Sequence, residues 1–153
     1  MGRSRIAQAI DATRREDYLR ALTLFVDVYG PDELAALDHA KVATGLSFFG
    51  LCVALVQKKY KPAIELCTRA ITLQFYNGDH YANLARVYLA AEKRKKAIEI
   101  AEQGLKISPE HDGLRALRED LGVRARPVVP FLDRSNPINV SLGRAKHAKK
   151  VPV

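Results

Sequence analysis

The sequence has little of what marks secreted, membrane-spanning or metal-binding chains. Its two cysteines, Cys52 and Cys67, lie within apolar helical patterns and lack a paired-cysteine spacing. They therefore predict buried, reduced thiols, with neither a disulfide framework nor a metal knuckle. The N-terminal segment lacks the apolar core of a signal peptide, and the longest apolar run, near residues 50–56, is far shorter than a membrane span. We expect a cytoplasmic protein that folds without disulfides or a structural metal.

Signals for catalysis are also scarce. The four histidines, His39, His80, His111 and His147, are scattered and form no i, i+4 pair. We interpret them as isolated surface residues, because zinc sites and catalytic bases need partners at defined spacings. No glycine-rich phosphate-binding loop follows a strand, and no strand is evident. The sequence therefore predicts a non-enzymatic protein without a metal or a cofactor.

Positive charge is concentrated at the two ends of the chain. The formal net charge is +8 over 153 residues. Residues 122–153 hold seven basic side chains against one acid, and residues 1–20 hold five against three. Residues 21–121 hold 13 of each sign and balance to zero. The body of the chain is thus expected to be neutral and its termini basic.

Apolar residues recur at three- and four-residue steps through most of the chain, which predicts an all-α fold. We expect helices over residues 5–14, 17–29, 31–38, 40–56, 62–73, 81–91, 95–107 and 113–121. The stripe predicted to be buried on the second of these consists of Leu19, Leu22, Phe25, Val26 and Tyr29. Helix 40–56 is apolar on all sides, so it should be the central helix and pack on two sides.

One short motif occurs three times, at residues 17–22, 59–64 and 93–98. Each copy begins with polar residues or a tyrosine, which are followed by an alanine and then by a branched aliphatic residue. Ala63 and Ala97 lie 34 residues apart, and Ala21 precedes Ala63 by 42, a surplus of eight that fits into the connection around residues 30–31. A period of this size indicates stacked supersecondary units. Such arrays usually bind other proteins.

Residues 78–111 resemble a tetratricopeptide (TPR) repeat. The matching positions are Tyr81, in place of the usual tryptophan, and Leu84, Ala85, Tyr88, Ala97, Ala101, Gly104 and Pro109. The preceding unit matches with one extra residue between Gly50 and Ala63, and the first unit matches only in its second helix. The resemblance implies a short right-handed α-solenoid of about three helical hairpins over residues 1–121, in which helix 113–121 caps the last repeat. The alternative is a non-repeat helical bundle.

In the TPR family the first helix of each hairpin lines a concave groove that holds a partner peptide. Carried over to this sequence, the groove candidates are Thr44, Ser47, Phe48, Leu51, Asp79, Ala82, Asn83 and Arg86. Phe48 and Leu51 could instead be ordinary core, and Asn83 and Arg86 could be solvated. The resemblance implies an adaptor, a scaffold or a small dedicated chaperone. A clamp for acidic C-terminal peptides is not expected, because Ser47, Leu51 and Asp79 stand where it needs basic or amide groups.

The tail, residues 122–153, is basic but too apolar for a solvated linker. Its apolar residues are Val128, Val129, Phe131, Leu132, Ile138 and Leu142. We expect an extended stretch at residues 126–131 and a short helix at residues 137–147. Our hypothesis is that the tail packs back on the repeats and occupies the groove. The alternative is a disordered tail that orders only on a partner.

Two basic runs raise a second candidate function, the binding of a polyanion such as RNA or an acidic surface. The run at residues 93–96 falls at a turn between paired helices, where Glu92 and Glu99 are near in sequence, so we favour a solvated turn. The run at residues 144–150 faces almost no acid but has no aromatic residue for base stacking. Binding through the basic termini would be weak and salt-sensitive.

Overall fold

The computed structural model describes the backbone of residues 2–30 and 39–122, and the side chains of residues 5–30 and 43–122. The chain divides into two units, Met1–Gly122 and Val123–Val153, and all described residues lie in the first. The regular structure in the described ranges is entirely helical, which confirms the predicted all-α class. The helix expected at residues 31–38 and every prediction for the tail, including helix 137–147, lie outside these ranges.

The helices of the described residues are α1 (Gly2–Arg14), α2 (Tyr18–Val28), α3 (His39–Gln57), α4 (Tyr60–Leu73), α5 (Gly78–Ala90), α6 (Arg94–Ile107) and α7 (Asp112–Asp120). They agree with the expected elements to within a few residues. Three helices start two or three residues earlier than expected, α1 and α5 by three and α4 by two; Pro62 still lies in the first turn of α4, where its missing N–H is not needed. Asn77 and Gly78 are the N-cap and first residue of α5.

Successive helices pair as hairpins, α1 with α2, α3 with α4 and α5 with α6. The links within these pairs are short, so the paired helices are antiparallel. Each pair contacts the next in chain order, and α7 packs on α5 and α6. Helices α1 and α3 run parallel, because Ile6 lies against Gly45 and Thr13 lies against Cys52, both 39 residues apart. Short links likewise make α3, α5 and α7 parallel.

Helix α3 is the centre of this arrangement. It contacts α1 and α2 on one side and α4 and α5 on the other, as its all-round apolar character predicted. It is 19 residues long, yet neither α3 nor another helix in the described part of the chain combines the length and apolarity that a membrane span needs.

The turn inside each hairpin has the same backbone conformation. One residue of each turn adopts a left-handed φ, namely Glu16 at 63°, Lys58 at 57° and Glu92 at 59°. Residues other than glycine rarely adopt this conformation, which ends the helix and reverses the chain. The next residue in each case is the N-cap of the second helix, Asp17, Lys59 or Lys93. The three sequence motifs begin at these caps and are therefore equivalent in structure.

The alanines of the three motifs have equivalent surroundings as well. Ala21, Ala63 and Ala97 are fully buried. The N–H of each donates to the carbonyl of the N-cap residue four positions earlier, over 3.0, 3.3 and 3.0 Å. A larger side chain at this point would hold the two helices of the hairpin apart. The sequence motif thus marks the place where each second helix meets its neighbours.

The link from α4 to α5 and the link from α6 to α7 repeat at a spacing of 34 residues. After α4 and after α6, the N–H groups of Gln74 and Ser108 return to the carbonyls four residues earlier, at 2.9 and 2.8 Å. Three residues further on, Asn77 and His111 cap the next helices with their side chains. Each also donates its N–H to the carbonyl of the residue three positions back, at 3.1 Å in both links. The connection into α7 therefore copies the connection into α5.

The predicted buried stripe of α2 is partly wrong. Leu19 and Val26 are 68% and 50% exposed. The buried residues of α2 are Ala21, Leu22, Phe25 and Val28. Because α2 contacts only α1 and α3 in the described chain, its buried stripe is narrow, and Leu19 and Val26, seven positions apart, share the outer side.

Gly104 provides a test of the close approach between α5, α6 and α7. A Cβ atom at this position would lie 2.6 Å from Cβ of Tyr81 and 2.7 Å from Cδ1 of Leu114. We expect Gly104→Ala to lower the free energy of unfolding by about 1–2 kcal/mol, because overpacking outweighs the gain in helix propensity. Thermal unfolding measures the change, and Gln103→Ala, at an exposed neighbouring position, is the control. A higher melting temperature for Gly104→Ala would contradict the tight packing.

Candidate partner-binding face

Three first helices and the cap of α7 share one face, and a line of polar contacts crosses it. The guanidinium of Arg14, at the end of α1, lies 5.7 Å from the centroid of the Phe48 ring on α3. The same group reaches Asp79 at the start of α5, with Nη2 to Oδ2 at 3.6 Å. The other carboxylate oxygen of Asp79 accepts a hydrogen bond from Nε2 of His111 at 2.8 Å. Side chains from α1, α3, α5 and the cap of α7 thus meet on this face.

The eight groove candidates divide by exposure. Thr44 and Arg86 are exposed and Asp79 is partly exposed. The other five are buried: Ser47, Phe48, Leu51, Ala82 and Asn83. A ligand at this face would therefore first meet polar groups, with the apolar candidates packed beneath them.

Arg86 is the exposed cation of α5 on this side. It makes no hydrogen bond or ion pair with another described residue. Its charge reaches Tyr18 at the start of α2. Burial raises the pKa of Tyr18 and Glu16 raises it further, whereas the positive charge of Arg86 lowers it. Arg86 also lies close to α7, since a Cβ atom at Gly113 of α7 would be 4.0 Å from the Arg86 guanidinium. Arg86 therefore stands between the first hairpin and α7 with its donors available.

Ser47 and Asn83 belong to a buried polar network centred on His80. The hydroxyl of Ser47 lies 2.7 Å from Nδ1 of His80, and Nδ2 of Asn83 donates to the same hydroxyl at 3.1 Å. Nε2 of His80 lies 3.0 Å from Oε1 of Gln74, which can only accept. Neutral His80 therefore carries its proton on Nε2, and Nδ1 accepts from Ser47. These bonds join α3 to α5 and to the link before α5.

His80 corrects the interpretation of the histidines as isolated surface residues. It is fully buried. His111 is not isolated either, because its Nδ1 accepts from the N–H of Leu114 while its Nε2 bonds to Asp79. The burial of His80 could have been predicted from the 34-residue repeat, because His80 aligns in it with Leu46 and Leu114, both fully buried. The side chains of His39 and His147 lie outside the described residues.

The Ser47–His80 pair is arranged for packing more than for catalysis. Both side chains are fully buried, so a substrate could reach the hydroxyl only if α3 and α5 separated. Burial lowers the pKa of His80 to about 4, with Asp79 acting weakly against it, which makes the imidazole a poor base at neutral pH. The imidazole is held by the Gln74 amide, which cannot stabilise an imidazolium as a carboxylate would. The network instead satisfies polar groups between packed helices.

The two cysteines are buried and free, as predicted. Burial raises the pKa of both thiols, so neither is a ready nucleophile. Within the described residues, no group of three histidine, cysteine, aspartate or glutamate side chains is placed to hold a metal ion.

Comparison with known proteins adds no identification. No protein-family model matches the sequence. A search of curated proteins likewise found no match.

The His80 network predicts a loss of stability in acid. The pKa of His80 is about 4 in the folded chain and about 6.5 when exposed, so the unfolded chain binds more protons between these values. The free energy of unfolding should fall as the pH drops from about 6.5 towards 4, by about 2–3 kcal/mol from this group, and level off below. Denaturant titrations across this range measure it.

The variants His80→Gln and His111→Gln separate the network from other titrating groups. Carboxylates contribute acid sensitivity to both variants, so the readout is the difference from the original chain. His80→Gln should lose the component between pH 4 and 6.5, while His111→Gln should keep it. If all three proteins show the same pH dependence, buried neutral His80 is not its source.

Proposed function

We propose that the chain is a non-enzymatic, TPR-like protein-binding module. In this proposal the three hairpins and α7 form a short right-handed solenoid, and the face of α1, α3 and α5 holds an extended partner segment. The reduced, buried thiols suit a protein that works in the cytoplasm. An adaptor, a scaffold and a small chaperone all fit this description.

The repeated backbone geometry supports the solenoid. Equivalent left-handed turns occur at residues 16, 58 and 92, and the links into α5 and α7 match at a 34-residue spacing. Nearest-neighbour packing of hairpins in chain order is what a repeat array requires. A bundle with one closed core would not need the same turn three times.

The observation that carries the binding proposal is the chain of contacts from Arg14 across Phe48 to Asp79. It brings exposed polar groups of α1 and α5 together around Phe48 of α3, with Thr44 on α3 and Arg86 on α5. An extended peptide presents a backbone carbonyl at every residue, and the guanidinium of Arg86 can donate to these carbonyls. Its side chains would gain affinity by covering the apolar groups beneath.

The proposal extends to the tail as one occupant of this face. The tail supplies the apolar residues Val128, Val129, Phe131, Leu132, Ile138 and Leu142, whose side chains can cover the apolar groups of this face. A tail bound there would compete with a partner peptide and would lower the partner's apparent affinity for the face. This is a proposal about residues 123–153, which lie outside the described ranges.

Photo-crosslinking tests which side of the array is occupied. A benzophenone amino acid replaces Thr44 or Arg86 on the proposed binding face, and Arg69, exposed on the second helix α4, serves as the control position. We expect crosslinks to a partner, or to the chain's own residues 123–153, from positions 44 and 86, and few from position 69. Mass spectrometry identifies the products. Equal yields at all three positions would contradict a specific binding face.

Deletion of residues 124–153 tests the tail as occupant. The deletion leaves α1–α7 complete. If the tail covers the face, its removal should lower the melting temperature and increase capture of a partner by the truncated chain. Calorimetry and pull-down beside the full-length protein measure both effects. An unchanged melting temperature together with unchanged capture would reject tail docking.

A further inference from the structure

The turns of the second and third hairpins carry a dense cluster of cations. Seven basic side chains and one acid, Glu92, occupy residues 58–61 and 92–96. The basic residues are Lys58, Lys59, Lys61, Lys93, Arg94, Lys95 and Lys96, all of them exposed. We call these seven residues the basic edge.

The fold brings the two turns to the same side of the molecule. Helices α3 and α5 run parallel and contact each other, so the turns that follow them lie at the same end. Helix α5 also lies against α4 and α6, whose N-terminal turns carry the lysines. The two groups of cations therefore flank the end of α5, separated by about 10 Å, the diameter of one helix.

The basic edge is not neutralised by its neighbours. Glu92 and Glu99 were expected to offset residues 93–96, but no cation of the basic edge has an ion pair with a described carboxylate. Arg94 donates to the carbonyl of Leu121, and the ammonium of Lys96 lies 5.7 Å from the Tyr88 ring centroid. The other five have neither kind of partner.

The neutrality of residues 21–121 therefore hides a segregation of charge. Outside the basic edge and Glu92, these residues hold six cations against twelve acids. The described acids Asp79, Glu110 and Asp112 flank the links into α5 and α7, at the opposite end of the helices, whereas Glu119 and Asp120, at the end of α7, lie at the same end as the basic edge. The turns of the second and third hairpins are therefore strongly positive, although residues 21–121 carry no net charge.

Two cations of the basic edge, Lys59 and Lys93, stand at helix N-termini, where they oppose the helix dipole. Lys59 and Lys93 are the N-caps of α4 and α6, neither makes a side-chain capping bond, and neither helix has an acid in its first turn. Acidic or short polar residues are favoured at these positions, and cations are disfavoured. Helix α2 shows the favourable alternative, because Asp17 accepts from the N–H of Arg20 at 3.4 Å. Two successive departures from a favourable cap point to an anionic partner.

Two half-buried tyrosines lie among these cations. Tyr60 stands between Lys59 and Lys61 in the first turn of α4, and Tyr88 lies beneath Lys96 near the end of α5. Cations that pair with phosphate and rings that stack with bases are the two components of single-strand recognition. A duplex groove would need a protruding helix or ribbon, whereas this edge is made of blunt turns.

We propose that the basic edge binds the phosphate backbone of single-stranded nucleic acid. Tyr60 and Tyr88 offer stacking surfaces between the two groups of cations. This surface is separate from the partner-binding face, and it lies in the helical body, in contrast to the polyanion binding predicted for the termini. Binding is expected to be independent of base sequence and sensitive to salt.

Fluorescence anisotropy of the full-length protein with a labelled oligouridylate of about 16 nucleotides tests the proposal. The edge variant combines Lys58→Gln, Lys59→Gln, Lys61→Gln, Lys93→Gln and Lys95→Gln, which spares the two cations with contacts of their own. The tail variant combines Arg134→Gln, Arg144→Gln, Lys146→Gln, Lys149→Gln and Lys150→Gln. Both variants have a net charge of +3, so they differ only in where charge is lost.

We expect the edge variant to bind at least about tenfold more weakly at moderate salt, and the slope of log K against log salt to decrease by up to about 3. The tail variant should lose less affinity, and its slope of log K against log salt should decrease less. The edge substitutions remove cations from helix N-termini, so circular dichroism should show unchanged or higher thermal stability. Equal losses in the two variants, or a greater loss in the tail variant, would overturn the proposal.

Two further probes identify the partner class. Inorganic polyphosphate has the charge without the bases, and vesicles of phosphatidylcholine and phosphatidylserine present an anionic membrane. The oligonucleotide should bind more tightly than polyphosphate at equal charge, and the vesicles should bind weakly. Polyphosphate binding as tight as that of the oligonucleotide, or edge-dependent binding to vesicles alone, would overturn the assignment to nucleic acid.

Discussion

The described fold depends on the close approach of one helix to the next, which only small residues allow. Gly50 and Gly104 have no room for a Cβ, since one would lie 2.8 Å from the carbonyl oxygen of Ala63 and 2.6 Å from Cβ of Tyr81. The buried alanines of the three motifs serve the same need at the start of each second helix. Close packing fixes the position of each hairpin on its neighbour, and that position determines which side chains share a face.

The same packing explains why polar residues lie inside. Helix α5 has helices on both sides, and the polar groups of His80 and Asn83 must be satisfied where they are buried. Ser47 of α3 and Gln74 of the preceding link supply the partners, and no buried side-chain nitrogen or oxygen in the described residues lacks a hydrogen bond. A satisfied network of this kind is directional, because each donor has one acceptor. It therefore fixes the register of α5 against α3 more closely than apolar contacts would.

Periodicity and caps predicted the helices well, because both are local properties of the chain. The exposure of Leu19 and Val26 was missed, since the position of the buried stripe depends on where α1 and α3 lie. Burial of His80 was missed for a related reason: its hydrogen-bond partners, Gln74 and Ser47, lie 6 and 33 residues earlier in the sequence, and only the 34-residue register aligns it with buried leucines. The groove assignment for Thr44 and Arg86 stays a prediction, as does the whole account of the tail.

Charge shows most clearly what the fold adds to the sequence. Counted along the chain, residues 21–121 are neutral, and the two lysine-rich turns are separated by more than thirty residues of mixed composition. The antiparallel hairpins return the chain to the same edge at every second helix, so residues one repeat apart become neighbours. A repeat array thereby brings the cations of two successive turns together, although the first turn, with Glu16 and Asp17, and the end of α7, with Glu119 and Asp120, place acids at the same end. Such an array can present two distinct surfaces, one lined by its first helices and one formed by its turns, with no change to the packing between them.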